Sequence, residues 1–325
     1  MGTPTLMPTP RSVVMRDGPS SLFRFHRSEE GPVAEASAGE RVPLLVVPSL
    51  INRWYVLDLR EGASMVSALV DGGVDVFCLD WGVCQDEDRY LTWQDVLDRL
   101  ARAVRRVKRE TGAEKIALLG YCMGGTLCAI HTALHPEDVH KLVNLLGPID
   151  FSKGGLLRRM VDPEWFDAHA VAAAGNVAPA QMQSGFTALR PTLGLAKWVG
   201  MADRAHDPAA KEALAALDAW ADDNVPFPAA AYATYIEELY QHNALARGVH
   251  HVNGKRVDLS AITCPLLTIA AERDNICPVP SAKALHSLVS STDEELFLVP
   301  GGHVGAVVGT RAPKTLYPKL VSWLS

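Results

Sequence analysis

The stretch from Lys115 to Leu127 constrains the fold of this chain more than any other part of the sequence. An apolar run ends at Gly120, and apolar residues with helical spacing follow Gly124. This pattern predicts a strand, a sharp turn and a helix, with the thiol of Cys122 at the apex of the turn. In such a strained turn the positions two before and two after the apex approach neighbouring backbone, where only glycine leaves room. Amide dipoles at the helix N-terminus favour a thiolate at the apex.

The pattern Gly120-x-Cys122-x-Gly124 resembles the nucleophile elbow of α/β-hydrolases, with cysteine in place of the usual serine. Taken alone, the pentapeptide also fits a buried core cysteine in a strand–turn–helix unit, because free cysteines are among the most buried residues. Other catalytic residues elsewhere in the chain are therefore needed to decide between a nucleophile and a core cysteine.

Apolar runs alternate with helical patterns along most of the chain. The runs that predict strands cover residues 22–27, 42–48, 74–80, 115–120, 141–146, 264–271 and 295–299. Strands that alternate with helices form a mostly parallel, doubly wound sheet, and here they predict an α/β-hydrolase fold. Ligands of such sheets bind at the carboxyl ends of the strands, and Cys122 lies at one of these ends.

The 325 residues fit one large α/β domain with an insertion. Residues 1–20 are expected to be disordered or loosely packed. Residues 21–150 and 263–325 are expected to form the α/β-hydrolase core. The strand pattern stops over 151–262, where helical patterns predict a cap or lid over the site. The aromatic residues of this segment fit an apolar tunnel, although aromatic residues at helical spacing also fit ordinary packing.

Three residues with catalytic chemistry each follow a predicted strand, in the order Cys122, Asp274 and His303. This is the α/β-hydrolase order of nucleophile, acid and histidine. His303 is predicted to take the thiol proton, and Asp274 to fix the tautomer of the imidazole and stabilise the imidazolium. Individually, Asp274 also fits a loop cap and His303 a structural histidine in a glycine turn. Their joint placement at three strand ends carries the catalytic interpretation.

The oxyanion of the acyl-transfer step needs two backbone amides near Cys122. The sequence predicts that Met123 supplies one amide and that Leu50 or Ile51, in the loop after residues 42–48, supplies the other. Two other strand-end carboxylates rank below Asp274, because Asp150 lies before the predicted cap and Asp80 lies well before the nucleophile. Three histidines of the cap region are predicted to face solvent, namely His242, His250 and His251.

Charge and cysteine usage exclude several classes of protein. A net charge of −6 argues against a nucleic-acid-binding protein. No apolar run reaches the roughly 18 residues of a membrane span. The six cysteines contain no Cys-x-x-Cys pair, which indicates a reducing, cytoplasmic compartment. His131 and His135 have the spacing of metal ligands, but no glutamate follows His131, so a helix-surface pair and no metal are predicted.

The box Gly120-Tyr121-Cys122-Met123-Gly124-Gly125 resembles that of poly(3-hydroxyalkanoate) synthases, and most of all the catalytic subunit of the class III type. The similarity runs from about residue 23 to the end of the chain. Besides Asp274, it includes LINRWY (50–55), DL (58–59), DWG (80–82), PIDF (148–151), GKRVDL (254–259), ITCP (262–265) and GGHVG (301–305). One departure follows the acid, where Asn275 replaces the histidine common in these synthases.

The resemblance implies a Cys-His-Asp acyltransferase that polymerises (R)-3-hydroxyacyl-CoA into polyhydroxyalkanoate. The chain would grow through an acyl-cysteine thioester and release CoA, which makes the CoA thioester a substrate, with no cofactor. It also implies a homodimer, often with a second synthase subunit, on polyester granules.

Two alternatives remain open from the sequence. A cysteine-nucleophile α/β-hydrolase, such as a thioesterase or a dienelactone-hydrolase-like enzyme, would resolve the acyl-cysteine with water. An inactive granule- or partner-binding homologue would keep the fold without turnover. Formation of polymer would indicate the synthase, and release of free acid alone would indicate the first alternative. Failure of Cys122 to react with an acyl-CoA analogue would indicate the second.

Overall fold

A twisted sheet of eight strands forms the centre of the computed structural model, which describes residues 4–27, 42–189 and 207–325. The order across the sheet is β1-β2-β6-β3-β7-β8-β11-β12. Strand β2 runs antiparallel to both of its neighbours, β1 and β6, and all the pairs from β6 to β12 are parallel. All strands are β1 Arg11–Asp17, β2 Ser20–Phe25, β3 Leu44–Val47, β4 Asp58–Arg60, β5 Ala63–Ser64, β6 Val76–Asp80, β7 Ile116–Tyr121, β8 Val139–Leu145, β9 His251–Val252, β10 Lys255–Arg256, β11 Leu266–Ala271 and β12 Glu294–Val299. The predicted α/β-hydrolase architecture is confirmed.

Helices cover both faces of the sheet. They are α1 Met65–Asp71, α2 Trp93–Thr111, α3 Met123–Leu134, α4 Gly155–Met160, α5 Ala168–Ala173, α6 Pro179–Ala188, α7 Pro208–Asp222, α8 Ala229–Thr234, a π-helix Tyr235–Gln241, α9 Val279–Lys283, α10 Gly305–Val308 and α11 Leu316–Leu324. A capping box begins α2, where Thr92 and Asp95 bond reciprocally. Gly112 ends this helix at φ 72°. Among the described helices, none combines the length and apolar character needed to cross a bilayer.

Strands β3 and β7 contain no charged residue and are buried along their whole length, because helices cover both of their faces. In β3, Leu45 and Val47 pack with residues of α2 and α3, whereas Leu44 and Val46 pack with residues of α1 and α11. This alternation follows from the two-residue period of a strand. The continuous apolar run therefore indicates a central parallel strand.

Residues 9–20 are held in the fold by defined contacts, where the sequence predicted a disordered or loosely packed region over 1–20. Residues 1–3 lie outside the described residues. Residues 11–17 form β1, which pairs with β2 across a two-residue turn at Gly18, whose φ is 59°. Before β1, Thr9 donates its hydroxyl to Asp58 at 2.7 Å, and Asp58 is fully buried. The prediction is wrong for these residues because the Pro- and Thr-rich composition ends before Arg11, where hairpin pairing and this buried contact take over.

Between β8 and β11 the described chain is mainly helical and contributes no strand to the main sheet. It includes α7, where Pro208 is the first residue of the helix and the Asp207 carboxylate caps it. Residues 190–206 of the predicted cap lie outside the described residues. The division into core and lid remains a prediction.

Candidate active site

Cys122 occupies a strained backbone conformation at the junction of β7 and α3. Its φ is 56° and its ψ is −127°, which non-glycine residues rarely adopt. Its amide donates to Leu145 O at 3.0 Å, and its carbonyl accepts from Gly125 N at 2.8 Å. These two hydrogen bonds hold the turn, and the thiol lies at the N-terminus of α3.

At the glycines beside Cys122, neighbouring atoms leave no room for a side chain. A Cβ on Gly120 would lie 2.2 Å from the carbonyl oxygen of Gly124, and a Cβ on Gly124 would lie 1.9 Å from that of Val47. At Gly125 it would lie 2.2 Å from Asn144 Oδ1. No side chain fits at these positions without moving β3, β7 or α3 apart.

Asp274 and His303 form a buried hydrogen-bonded pair at the carboxyl ends of β11 and β12. His303 Nδ1 lies 2.7 Å from Asp274 Oδ2. The other carboxylate oxygen accepts from the amides of Ile276 and Cys277 at 2.8 and 2.9 Å. The carboxylate is therefore fixed on both sides and holds the proton of the imidazole on Nδ1. His303 Nε2 is buried and has no hydrogen-bond partner among the described residues, which leaves it able to exchange a proton.

The electrostatics of His303 link it to Cys122. Burial lowers the pKa of His303, but the thiolate of Cys122 and the carboxylate of Asp274 outweigh burial and raise the pKa to about 10. Tyr121 packs against the imidazole with ring centroids 5.4 Å apart. The arrangement favours an imidazolium at His303, which is the charge state that general acid–base chemistry with a cysteine nucleophile requires. The catalytic roles of Cys122, Asp274 and His303 remain predictions.

Replacing Cys122 with alanine should lower the pKa of His303 to well below 10, because burial then opposes the effect of Asp274 alone. An NMR titration of the His303 imidazole in wild type and Cys122→Ala measures this shift. Cys264→Ala is the matched control, since Cys264 lies before the amino-terminal end of β11, whereas Cys122 follows the carboxyl end of β7. Equal pKa values of His303 in wild type and Cys122→Ala would show that the two groups do not interact.

An apolar cavity of about 160 Å³ opens at Cys122. Its wall is formed mainly by hydrophobic and aromatic side chains from the region between β8 and β11, including Leu157, Met160, Phe186, Phe227, Tyr235 and Tyr240. The two tyrosines belong to the π-helix, and their ring centroids are 5.4 Å apart. The aromatic side chains therefore both pack against one another and line the cavity beside the thiol.

Two of the three residues predicted to supply oxyanion amides line the cavity at Cys122. Met123 and Ile51 line the cavity together with Cys122, whereas Leu50 is buried next to Ile51 and does not line it. Of the two loop residues, Ile51 is thus the one that reaches the cavity. The oxyanion role of both amides remains a prediction.

The two other strand-end carboxylates are engaged away from His303. Asp80 accepts from the amide of Gly82 at 3.0 Å. Asp150 accepts from Ser152 and Asn243 and pairs with Lys153. Asp274 is accordingly the carboxylate that the fold brings to the imidazole.

Two histidines lie deeper than the sequence predicted. His250 was predicted to face solvent, but it is fully buried and its Nδ1 lies 2.6 Å from Glu238; His242 and His251 are exposed as predicted. His131 was predicted on a helix surface, but it is buried, because every residue of α3 is enclosed by the sheet and its neighbours. Its ring packs on that of His135 with centroids 5.0 Å apart.

A cluster of polar side chains follows α3. His135, Glu137 and Asp138 offer ligand atoms within 4.8 Å of one another, and Lys108 already pairs with Asp138. The cluster lies at the far end of α3 from Cys122. The absence of a metal remains a prediction.

Two protein families match the sequence. Residues 42–310 match the family described as "alpha/beta hydrolase fold", and residues 5–69 match "Poly-beta-hydroxybutyrate polymerase (PhaC) N-terminus". A solved structure of Est816, an N-acyl homoserine lactone degrading enzyme, has the same fold, with a TM-score of 0.55 at 15% identity over 97% of this chain and 100% of that chain.

Curated relatives match along nearly the whole chain. The poly(3-hydroxyalkanoate) polymerase subunit PhaC of Allochromatium vinosum is 33% identical over 98% of this chain and 88% of its own length. The protein of the same name from a Synechocystis species is 32% identical over 98% of this chain and 84% of its own length. This chain belongs to the poly(3-hydroxyalkanoate) polymerase (PhaC) family of the α/β-hydrolase fold.

Proposed function

We propose that this chain polymerises (R)-3-hydroxyacyl-CoA into polyhydroxyalkanoate, with the growing chain held as a thioester on Cys122. The observation that carries this proposal is the buried Asp274–His303 pair, electrostatically coupled to a cysteine at a strained elbow, in a member of this family. The apolar cavity at the thiol supports an acyl substrate.

In the first step the acyl group moves from CoA to the protein. His303 Nε2 takes the proton of the Cys122 thiol, and the thiolate sulfur attacks the carbonyl carbon of the thioester. The amides of Met123 and Ile51 hold the oxyanion. The bond to the sulfur of CoA then breaks, and the CoA thiolate leaves with the proton from His303. One thioester replaces another, so the acyl group stays activated.

In the second step the chain grows by one unit. The 3-hydroxyl group of the next acyl unit gives its proton to His303, and its oxygen attacks the thioester on Cys122. A C–O ester bond forms, the C–S bond breaks, and the Cys122 sulfur recovers the proton. A serine ester would already equal the product ester in energy, so cysteine supplies the driving force. The apolar wall keeps water from this thioester and so favours growth over hydrolysis.

The assembly of this enzyme is also part of the proposal. We expect a cytoplasmic homodimer that works on polyester granules with a second synthase subunit, and the word "subunit" in the names of its relatives supports the second subunit. Size-exclusion chromatography with light scattering, before and after addition of 3-hydroxybutyryl-CoA, tests the dimer. A monomer at both stages would contradict it.

Incubation of the purified chain with 3-hydroxybutyryl-CoA tests the function, with CoA release and product mass followed together. We expect CoA release with a high-mass polyester, unchanged in Cys264→Ala and lost in Cys122→Ala. Release of CoA with only free 3-hydroxybutyrate would identify a thioesterase instead. A chain that releases no CoA, even with a class III partner subunit added, would be an inactive homologue.

A further inference from the structure

The loop that follows β3 carries Ile51 to the cavity and is held by side chains from outside the loop. At its start, Trp81 Nε1 donates to the carbonyl of Pro48 at 2.9 Å. At its far end, Trp220 Nε1 donates to the carbonyl of Arg53, also at 2.9 Å. The first tryptophan follows the core strand β6, whereas the second belongs to α7. One of the two indole contacts therefore comes from the region predicted as the cap.

Three further contacts join the same loop to the C-terminal end of α7. The Tyr55 hydroxyl donates to Asp223 Oδ2 at 2.8 Å, and Arg53 Nε lies 3.7 Å from the same oxygen. Asn52 Nδ2 donates to Asn224 Oδ1. With Trp220 they form a continuous junction between segments about 170 residues apart in the sequence, as the separations of 167, 168 and 172 show.

The position of Asp223 is unfavourable within its own helix. It is the C-cap residue of α7, where the helix dipole favours cations, and the last turn of α7 contains no basic residue. The compensating partners, Tyr55 and Arg53, come from the loop. The helix dipole disfavours a carboxylate at this position, whereas the tertiary contacts with the loop stabilise it. Such conflicts between local preference and tertiary structure are expected at functional positions.

We propose that the C-terminal end of α7 positions the loop that carries the oxyanion amide of Ile51, with Trp220 and Asp223 as positioning residues. Acyl transfer to Cys122 requires the amide to meet the oxyanion at about 2.7–3.1 Å. A displacement of about 1 Å costs roughly 100-fold in rate. The thioester is then activated only while α7 is docked on the loop. This inference rests on the proposed acyl transfer to Cys122.

Variants that remove single contacts test this inference. Tyr55→Phe removes only the hydroxyl donor, Trp220→Phe removes the indole donor and keeps an aromatic ring, and Asp223→Ala removes the shared acceptor. The matched control is Asp222→Ala, which removes the exposed carboxylate next to Asp223. Single-turnover release of CoA from 3-hydroxybutyryl-CoA reports acyl transfer. Alkylation of Cys122 by iodoacetamide reports the thiol alone, because alkylation forms no oxyanion.

We expect Asp223→Ala and Trp220→Phe to slow CoA release by about 10- to 100-fold while alkylation and Tm stay close to wild type. Asp223→Asn keeps an acceptor for Tyr55 and should recover part of the rate, and Asp222→Ala should match wild type. The double variant Tyr55→Phe/Asp223→Ala should be no slower than Asp223→Ala, because both changes remove the same bond.

Three results would overturn the inference. CoA release at the wild-type rate in every variant would show that α7 does not position the loop. Alkylation that falls in parallel with CoA release would show general damage to the site. A wild-type chain that never acylates Cys122, from 3-hydroxybutyryl-CoA or from p-nitrophenyl butyrate, contradicts the proposed function and the inference with it, whereas an active wild type with equally active variants contradicts the inference alone.

Discussion

Replacement of Cys122 by alanine should lower CoA release from 3-hydroxybutyryl-CoA by about 10⁴-fold or more, because the proposed acyl chain is carried on the Cys122 sulfur. Cys122→Ser should also be severely impaired. A serine hydroxyl does not form the anion that an imidazolium at this site stabilises, and its ester would no longer drive transfer to the next hydroxyl. Stopped-flow detection of free thiol measures both rates.

Two controls make this prediction specific. Cys264→Ala removes a thiol that lies before the amino-terminal end of β11 and should keep the wild-type rate. His303→Gln should lose activity to an extent similar to Cys122→Ala, since residues that act as one unit do not contribute additively. Substantial CoA release by Cys122→Ala would show that the elbow cysteine is not the nucleophile.

Replacement of Gly124 by alanine should destabilise the fold by more than about 3 kcal/mol, and we expect little folded protein. The new Cβ would lie 1.9 Å from the carbonyl oxygen of Val47 and 3.0 Å from that of Pro48. Both neighbours are backbone atoms, so no rotamer change relieves the clash, and β3 would have to separate from α3. Chemical denaturation followed by circular dichroism measures the loss in the free energy of unfolding.

Gly185→Ala provides the control for this substitution. Gly185 lies within α6, where an added Cβ meets no atom of the other described segments within 4 Å. Alanine is favoured over glycine in a helix interior by about 1 kcal/mol, so this variant should be as stable as wild type or slightly more stable. A Gly124→Ala variant that unfolds within about 1 kcal/mol of wild type would contradict the tight packing of the elbow.

The parts of this fold that the sequence predicted are those set by local patterns. The continuous apolar run of β3 follows from the burial of both faces of the strand, and the glycines beside Cys122 were predicted from their spacing around it, although the atoms that exclude a side chain at Gly124 belong to Val47 and Pro48. Asp274 and His303 were predicted from their place after two strands, and parallel strands deliver their carboxyl ends to one edge of the sheet. The structure brings the two side chains to 2.7 Å.

What the sequence did not predict depends on contacts between distant segments. His250 was predicted to face solvent, yet a partner on the π-helix, Glu238, holds it in the interior. The hairpin of β1 and β2 closes against β6, which lies far along the chain. The junction between the loop after β3 and α7 joins residues about 170 positions apart in the sequence, and no local pattern around Asp223 indicates its partner.

The central claim is that Cys122 carries the acyl chain, and mass spectrometry of the acylated protein tests it most directly. The protein is mixed with 3-hydroxybutyryl-CoA, quenched in acid within one turnover, digested and mapped. We predict a 3-hydroxybutyryl adduct, or a short oligomer of it, on the peptide that contains Cys122, lost in Cys122→Ala and labile to hydroxylamine as thioesters are. An unmodified Cys122 peptide during active CoA release, or an adduct on Cys84 or Cys264 instead, would contradict the account.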